Sequence, residues 1–384
     1  MLRWTLFIFS LVLALLSLLT AVKTPDFINW KFALLAQEYG HFLALAPLAI
    51  AVFAWRLRDH PPAAALATLA LCALALALFL KPAVQARSLA RTLPAQLERA
   101  FGPAVMRRPA FSFSALFDHD PAPVPVATFN YSGGQELDFY RATSAAPSPC
   151  VIVVHGGGWN SGDRGEIRKF DDWLAGHGYA VAAISYRLAP DSIWPAQRDD
   201  VLAAVKYIKD HAAALGVDPL SLFLFGRSAG GQIAEATAYA ARDPAILGVA
   251  AFYAPADMHF AYEWGREDDI LKSPKLLREF LGGTPATARS AYDSASGILL
   301  VTPATTPTLL VHGELDTLVW HRQSTRLDAR LAAAGVPHLF LSLPWATHAV
   351  EFNLHGPGGQ LATYALEWFF ISRSAAATGP RRRE

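Results

Sequence analysis

Six short apolar runs, separated by stretches of helical spacing, constrain this chain more than any other feature. They are CVIVV (150–154), AVAAIS (180–185), LFLF (222–225), ILGVAAFY (246–253), TLLVH (308–312) and HLFLSL (338–343), each bounded by turn residues. Helical spacing occupies Pro195 to Leu215, Gly230 to Ala241, Arg322 to Ala334 and Gln360 to Ile371. Runs this continuous lack the in–out alternation of a half-exposed strand, so they predict strands buried on both faces. Residues 126–142, VATFNYSGGQELDFYRA, add two strands about a Ser-Gly-Gly turn. The expected fold is therefore α/β, a mostly parallel eight-stranded sheet flanked by helices. In such sheets the working groups gather at the carboxyl ends of the strands. Residues 256–295 interrupt the alternation with aromatic and charged residues, which is where a cap over the site would be inserted.

The run LFLF leads into Gly226-Arg227-Ser228-Ala229-Gly230 and then into a helix. A serine cap on a tight turn would need no more than Ser228. The strand–turn–helix setting of G-x-S-x-G also matches a nucleophile elbow, in which flanking glycines let the backbone turn sharply and expose the serine Oγ. Upstream, VIVVHGGGW ends a strand with His155-Gly156-Gly157-Gly158-Trp159. Glycines there let backbone N–H groups approach a substrate oxygen with no side chain in the way. His155, beside those glycines, reads as a loop brace rather than a base. A serine of this kind needs a base and an orienting acid, following it in the order acid, then histidine. After TLLVH comes GELDTL, where Asp316 is favoured over Glu314 as the acid; after HLFLSL comes PWATHAVEF, which offers His348.

With those residues assembled, the segment 126–373 resembles an α/β-hydrolase fold esterase or lipase, close to the hormone-sensitive-lipase and acetyl-esterase-like (BD-FAE-like) branch. The resemblance rests on HGGGW, SGD (161–163), SYRLAP (185–190), WPAQRDDVLAAVKYI (194–208), GRSAGG, HGELDTLV and ATHAV. It implies Ser228 as nucleophile, His348 as base and Asp316 as its orienter, with Gly157, Gly158 and Ala229 supplying the oxyanion-hole N–H groups. It implies hydrolysis of carboxylic esters, of small-acyl or lipid-derived type, with no metal or organic cofactor. Arg227 departs from relatives that carry Glu or Asp before the nucleophile. Trp159, Trp194 and Tyr262 are candidates for the wall of an acyl or alcohol pocket. A peptidase of the prolyl-oligopeptidase type, an acyltransferase, and a catalytically silent receptor or adhesion module are the competing readings.

The front of the chain is of another kind. Hydrophobic residues make up 53% of the whole and charged residues only 17%, and the first eighty residues account for the excess. Residues 4–22 and 63–80 are uncharged and long enough to cross the bilayer core of about 30 Å. A middle run, 35–55, reaches that length only by including Glu38, which is expected at the interface because a charge in hydrocarbon is costly. Three transmembrane helices within 1–81 are therefore expected, in a multi-pass protein of a bacterial-type inner membrane. Arg3, Arg56 and Arg58 fall on one side and Lys23, Lys31, Lys81, Arg87 and Arg91 on the other, which leaves the side of the catalytic domain open. Residues 82–125 read as an amphipathic helix, on headgroups or against the next domain, and a proline-rich connector; 374–384 form a basic tail. A net charge of +1 offers nothing to nucleic acid. Cys72 and Cys150 have no metal-ligand spacing and read as packing residues.

Overall fold

The computed structural model describes residues 2–56, 62–143 and 147–378. Arg58 and the end of the basic tail, 379–384, lie outside them. Eight strands form one sheet: β1 (Val126–Ser132), β2 (Gln135–Tyr140), β3 (Ser148–Val154), β4 (Ala180–Ile184), β5 (Val217–Arg227), β6 (Ile246–Phe252), β7 (Thr308–Gly313) and β8 (His338–Leu343). Their order is β1-β2-β4-β3-β5-β6-β7-β8. The sheet is mixed, because β2 runs antiparallel to both β1 and β4, while β3 to β8 are parallel.

Alternate residues of each strand point to opposite faces, and both faces are covered. Ile152, Leu222, Leu224, Val249 and Leu310 enter one core. Val151, Val153, Phe223, Phe225, Phe252 and Val311 enter the other, beneath the long C-terminal helix Pro357–Thr378. This two-sided burial is why the strands read as unbroken apolar runs. Cys150 and Cys72 are both buried and free.

Register aligns the strand ends. Val154 pairs with Gly226, Arg227 with Phe252, Phe252 with Val311, and Gly313 with Leu343. The loops that follow β3, β5, β6, β7 and β8 consequently leave the sheet along one edge. The interrupting segment folds into the helices Met258–Trp264, Ser273–Leu281 and Arg289–Ala295 beside that edge.

The N-terminal region is helical: Leu2–Leu18, Phe27–Glu38, Gly40–Leu43, Leu45–Arg56 and Pro62–Leu89. Among the described residues one helix, Ala63–Leu89, is long and apolar enough to cross a membrane, with mean hydropathy 2.5. Leu2–Leu18 is shorter, and the middle run bends by 81° between Glu38 and Gly40. Of the three expected spans, 63–80 lies within Ala63–Leu89, 4–22 is helical only to Leu18, and 35–55 is broken by the bend. Glu38 is not at an interface; it is 1% exposed and packed against the C-terminal domain, where backbone donors replace water. The helix Leu93–Phe101 lies on that same domain rather than exposing its apolar face, with Leu93, Leu97 and Phe101 buried and Phe101 4.5 Å from the Phe369 ring.

Candidate active site

Ser228 sits at the tip of β5 with φ 53° and ψ −126°, a region that costs a non-glycine residue energy. Its backbone N–H donates to Phe252 O at 2.9 Å, tying the turn to the end of β6. The turn is tight enough to demand its glycines. A Cβ on Gly230 would stand 2.2 Å from Val154 O, and one on Gly226 2.2 Å from Gly230 O. The helix Ala229–Ala241 starts at the next residue, so Ala229 N–H is one of its unpaired first-turn donors.

The glycine loop after β3 lies against this turn, since a Cβ on Gly156 would sit 3.4 Å from Ser228 Cβ. Gly157 has φ 104°, and a Cβ there would meet Ser161 O at 2.1 Å. Among the described residues, neither Gly157 N–H nor Gly158 N–H has a hydrogen-bond acceptor. His155 is buried, its ring stacked 4.2 Å from Tyr186 and its Nδ1 2.7 Å from Gly156 O. Burial lowers its pKa to about 4, so it is a neutral brace.

The acid and base candidates meet. His348 Nδ1 donates to Asp316 Oδ2 at 2.6 Å. Asp316 is fully buried, and its other oxygen accepts from Leu318 N–H at 2.8 Å and Val319 N–H at 3.0 Å. Burial alone would raise its carboxyl, but the charge of His348 and hydrogen bonds from His312 and His348 hold it below the ordinary carboxylate range. Glu314, the competing carboxylate, instead accepts from Ser342 Oγ at 2.8 Å.

His312 was not singled out as a site residue. Its Nε2 lies 3.2 Å from Asp316 Oδ2 and 3.0 Å from Val319 O, two acceptors that require the proton on Nε2. The available signal was a histidine inside the apolar run TLLVH, four residues before the acid.

Tyr253, the residue after β6, packs its ring 4.2 Å from His348. Ser228 and His348 thus flank the end of one strand, although no hydrogen bond joins them among the described residues. Catalytic hydrogen bonds are commonly long before substrate binds. Residues with positive φ surround this point: Trp159, Ser228, Tyr253 and Ala349.

An apolar cavity opens beside the acid loop, lined by Trp159, Phe260, Trp264, Leu276, Thr317 and Trp320 among others. Trp159 is held there by stacking on Phe280 at 4.4 Å and by donating to Gln232 Oε1 at 2.8 Å. Trp194 and Tyr262 do not line it. Trp194 is 3% exposed, donates to Ser294 Oγ at 2.9 Å and is sealed beneath the helix Ser273–Leu281. Tyr262 packs edge-on against Tyr292, 5.8 Å away.

Comparison with known proteins agrees with this architecture. The family model described as BD-FAE matches residues 137–331, just over half of the chain. Esterase LipQ of Mycobacterium tuberculosis (strain ATCC 25618 / H37Rv) is 29% identical over 233 residues, covering 57% of this chain and 55% of that protein. The probable carboxylic ester hydrolase LipM of the same strain is 26% identical over 234 residues, covering 58% and 54%. The chain thus spans about half the length of these curated relatives. Among solved structures, esterase B from Lactobacillus rhamnosis aligns with TM-score 0.59 at 21% identity, over 79% of this chain and 99% of that one. A bacterial heroin esterase aligns with TM-score 0.57 at 22% identity, over 77% and 96%. At such identities the shared property is the fold. The chain belongs to the BD-FAE family, on an α/β-hydrolase fold of the esterase/lipase type.

Proposed function

We propose that this protein hydrolyses carboxylic esters through an acyl-enzyme, with Ser228 as nucleophile, His348 as general base and Asp316 as its orienter. The observation that carries this reading is the 2.6 Å contact between His348 Nδ1 and the buried Asp316, beside a serine on a strained strand–helix turn. With Nδ1–H held by the carboxylate, Nε2 is the nitrogen left to accept the Ser228 proton. Oγ then attacks the ester carbonyl carbon. The oxyanion accepts hydrogen bonds from Gly157, Gly158 and Ala229 N–H groups, and the proton on Nε2 passes to the departing alcohol. Water repeats the sequence on the acyl-enzyme and frees the acid.

The cavity's aromatic and aliphatic lining suits an apolar acyl or alcohol group. Names of relatives such as Esterase LipQ support ester substrates as a class.

The helical front end is read as a membrane anchor. Ala63–Leu89 has spanning length, and Leu2–Leu18 exposes Trp4, Ile8, Phe9, Val12 and Leu15 on its outer face. Such a face is stable in lipid and costly in water. Retention in the pellet after alkaline carbonate extraction tests the anchor; release into the supernatant refutes it.

For the chemistry, Ser228→Ala is expected to abolish turnover of short-chain p-nitrophenyl esters and labelling by a fluorophosphonate probe. A variant that still labels or turns over normally refutes the assignment.

A further inference from the structure

Residues 24–38, in the helical front end, lie against both loops that carry the acid and base candidates. Thr24 Oγ1 is 3.1 Å from Thr317 Oγ1, one residue past Asp316. Gln37 is 1% exposed, and its Oε1 accepts from Thr347 N–H at 2.7 Å, one residue before His348. Its Nε2 donates to Leu19 O at 2.9 Å, which clamps the side chain from the other side. Glu38 continues the contact: its Oε2 accepts from Gly358 N–H at 3.0 Å, and its carbonyl accepts from Asn353 Nδ2 at 2.9 Å.

Thr347 is itself buried, at 1% exposure, so its N–H has no water to turn to and must be paired within the protein. Ala349, just past His348, has φ 69°, a conformation that costs a non-glycine residue energy. A loop held in such a conformation relaxes when a supporting hydrogen bond is removed. His348 sits between these two residues, so relaxation displaces the imidazole.

We infer that Gln37 is a positioning residue for His348, which makes the helical front end an integral part of the catalytic site rather than a detachable anchor. The inference rests on the esterase reading above. Gln37 touches no reacting atom; it acts through Thr347.

The test uses the full-length protein in detergent, with active sites counted by fluorophosphonate titration so that kcat refers to folded enzyme. Gln37→Met keeps length and loses the acceptor; kcat on a short-chain p-nitrophenyl ester is expected to fall roughly 10- to 100-fold, as misplacement of a catalytic group does. KM is expected to stay within about twofold, because the lost interaction serves the transition state and not ground-state binding. Gln37→Glu, whose neutral buried carboxyl offers both an acceptor and an O–H donor, is expected to recover most of kcat. A purely structural role would lower the active-site count and leave kcat per site unchanged, and that result overturns the inference. Equal kcat loss in Gln37→Met and Gln37→Glu overturns it as well. Should Gln37→Met not fold, Thr24→Val replaces it, with a severalfold fall in kcat at constant KM expected and an unchanged kcat refuting the role of this segment. A wild-type protein that neither labels nor turns over ester overturns the esterase reading and this inference together; an active wild type with an unaffected Gln37→Met overturns only this one.

Discussion

Arg227 Nη1 lies 3.7 Å from a carboxylate oxygen of Glu351, with both side chains buried behind the candidate nucleophile and base. Arg227 immediately precedes Ser228, and Glu351 follows His348 by three residues. The same carboxylate accepts a hydrogen bond from the Tyr253 hydroxyl, whose ring packs on His348. A second carboxylate, on the half-exposed Glu166, stands 2.6 Å from Arg227 Nη2. The cation at the elbow is therefore answered by two acids, Glu166 and, from the histidine's own loop, Glu351.

Removing Arg227 leaves the buried Glu351 without its cation, whereas removing Glu351 still leaves Arg227 beside Glu166. Arg227→Met is expected to cost about 3 kcal/mol of stability, whereas the double variant Arg227→Met/Glu351→Gln recovers part of the loss. Denaturant unfolding of the four proteins forms a double-mutant cycle. Strict additivity would show that the two residues are not coupled.

His312 supplies Asp316 with a second imidazole at 3.2 Å. His312→Phe removes a hydrogen bond to a charged group, worth about 1.5–3 kcal/mol, and leaves Asp316 freer to turn. Ester kcat is expected to fall by roughly one to two orders of magnitude on that energy, with KM little altered. Wild-type kcat in the variant would leave His312 a core residue only.

Leu276 faces the apolar cavity next to Gly158 and Trp159. Leu276→Trp is expected to lower kcat/KM for a hexanoyl ester, relative to an acetyl ester, by roughly tenfold or more, since each methylene excluded from an apolar pocket carries that order of discrimination. An unchanged chain-length profile would mean that the acyl group binds elsewhere.

Glu235 lies in the helix after Ser228, 1% exposed, with no hydrogen-bond partner for its Oε2 among the described residues. Burial pushes its carboxyl well above the ordinary range, so the folded protein holds it neutral. A group whose folded pKa is raised contributes fully below its unfolded pKa and loses that contribution as pH climbs toward the folded value. Glu235→Gln escapes the loss. Its Tm advantage over wild type is expected to grow as pH rises above the ordinary carboxylate range; a constant or shrinking difference in Tm refutes the buried neutral carboxyl.

Strand positions and the glycine-bounded turn at Ser228 were legible in the chain because each depends on neighbours a few residues away. An apolar run buried on both faces must be apolar throughout, and a sharp strand–helix turn must have glycine wherever a Cβ would strike backbone, as at Gly226 and Gly230. Local pattern also placed Asp316 and His348 at strand ends, where they meet. Tertiary structure alone decided what those residues face. Asp316 rather than Glu314 reaches the histidine because their side chains leave the same loop in different directions. Trp194 and Tyr262 look like pocket aromatics in sequence, but Trp194 is buried in the core and the partly buried Tyr262 packs on Tyr292, and only the fold distinguishes these from an aromatic at a cavity. Glu38 shows the limit most sharply. Hydropathy assigns a lone charge in an apolar run to the membrane interface, yet Gly358 N–H, 320 residues further along, meets its carboxylate inside the protein. Pairing over such a separation depends on how the whole chain closes, and no local pattern encodes it.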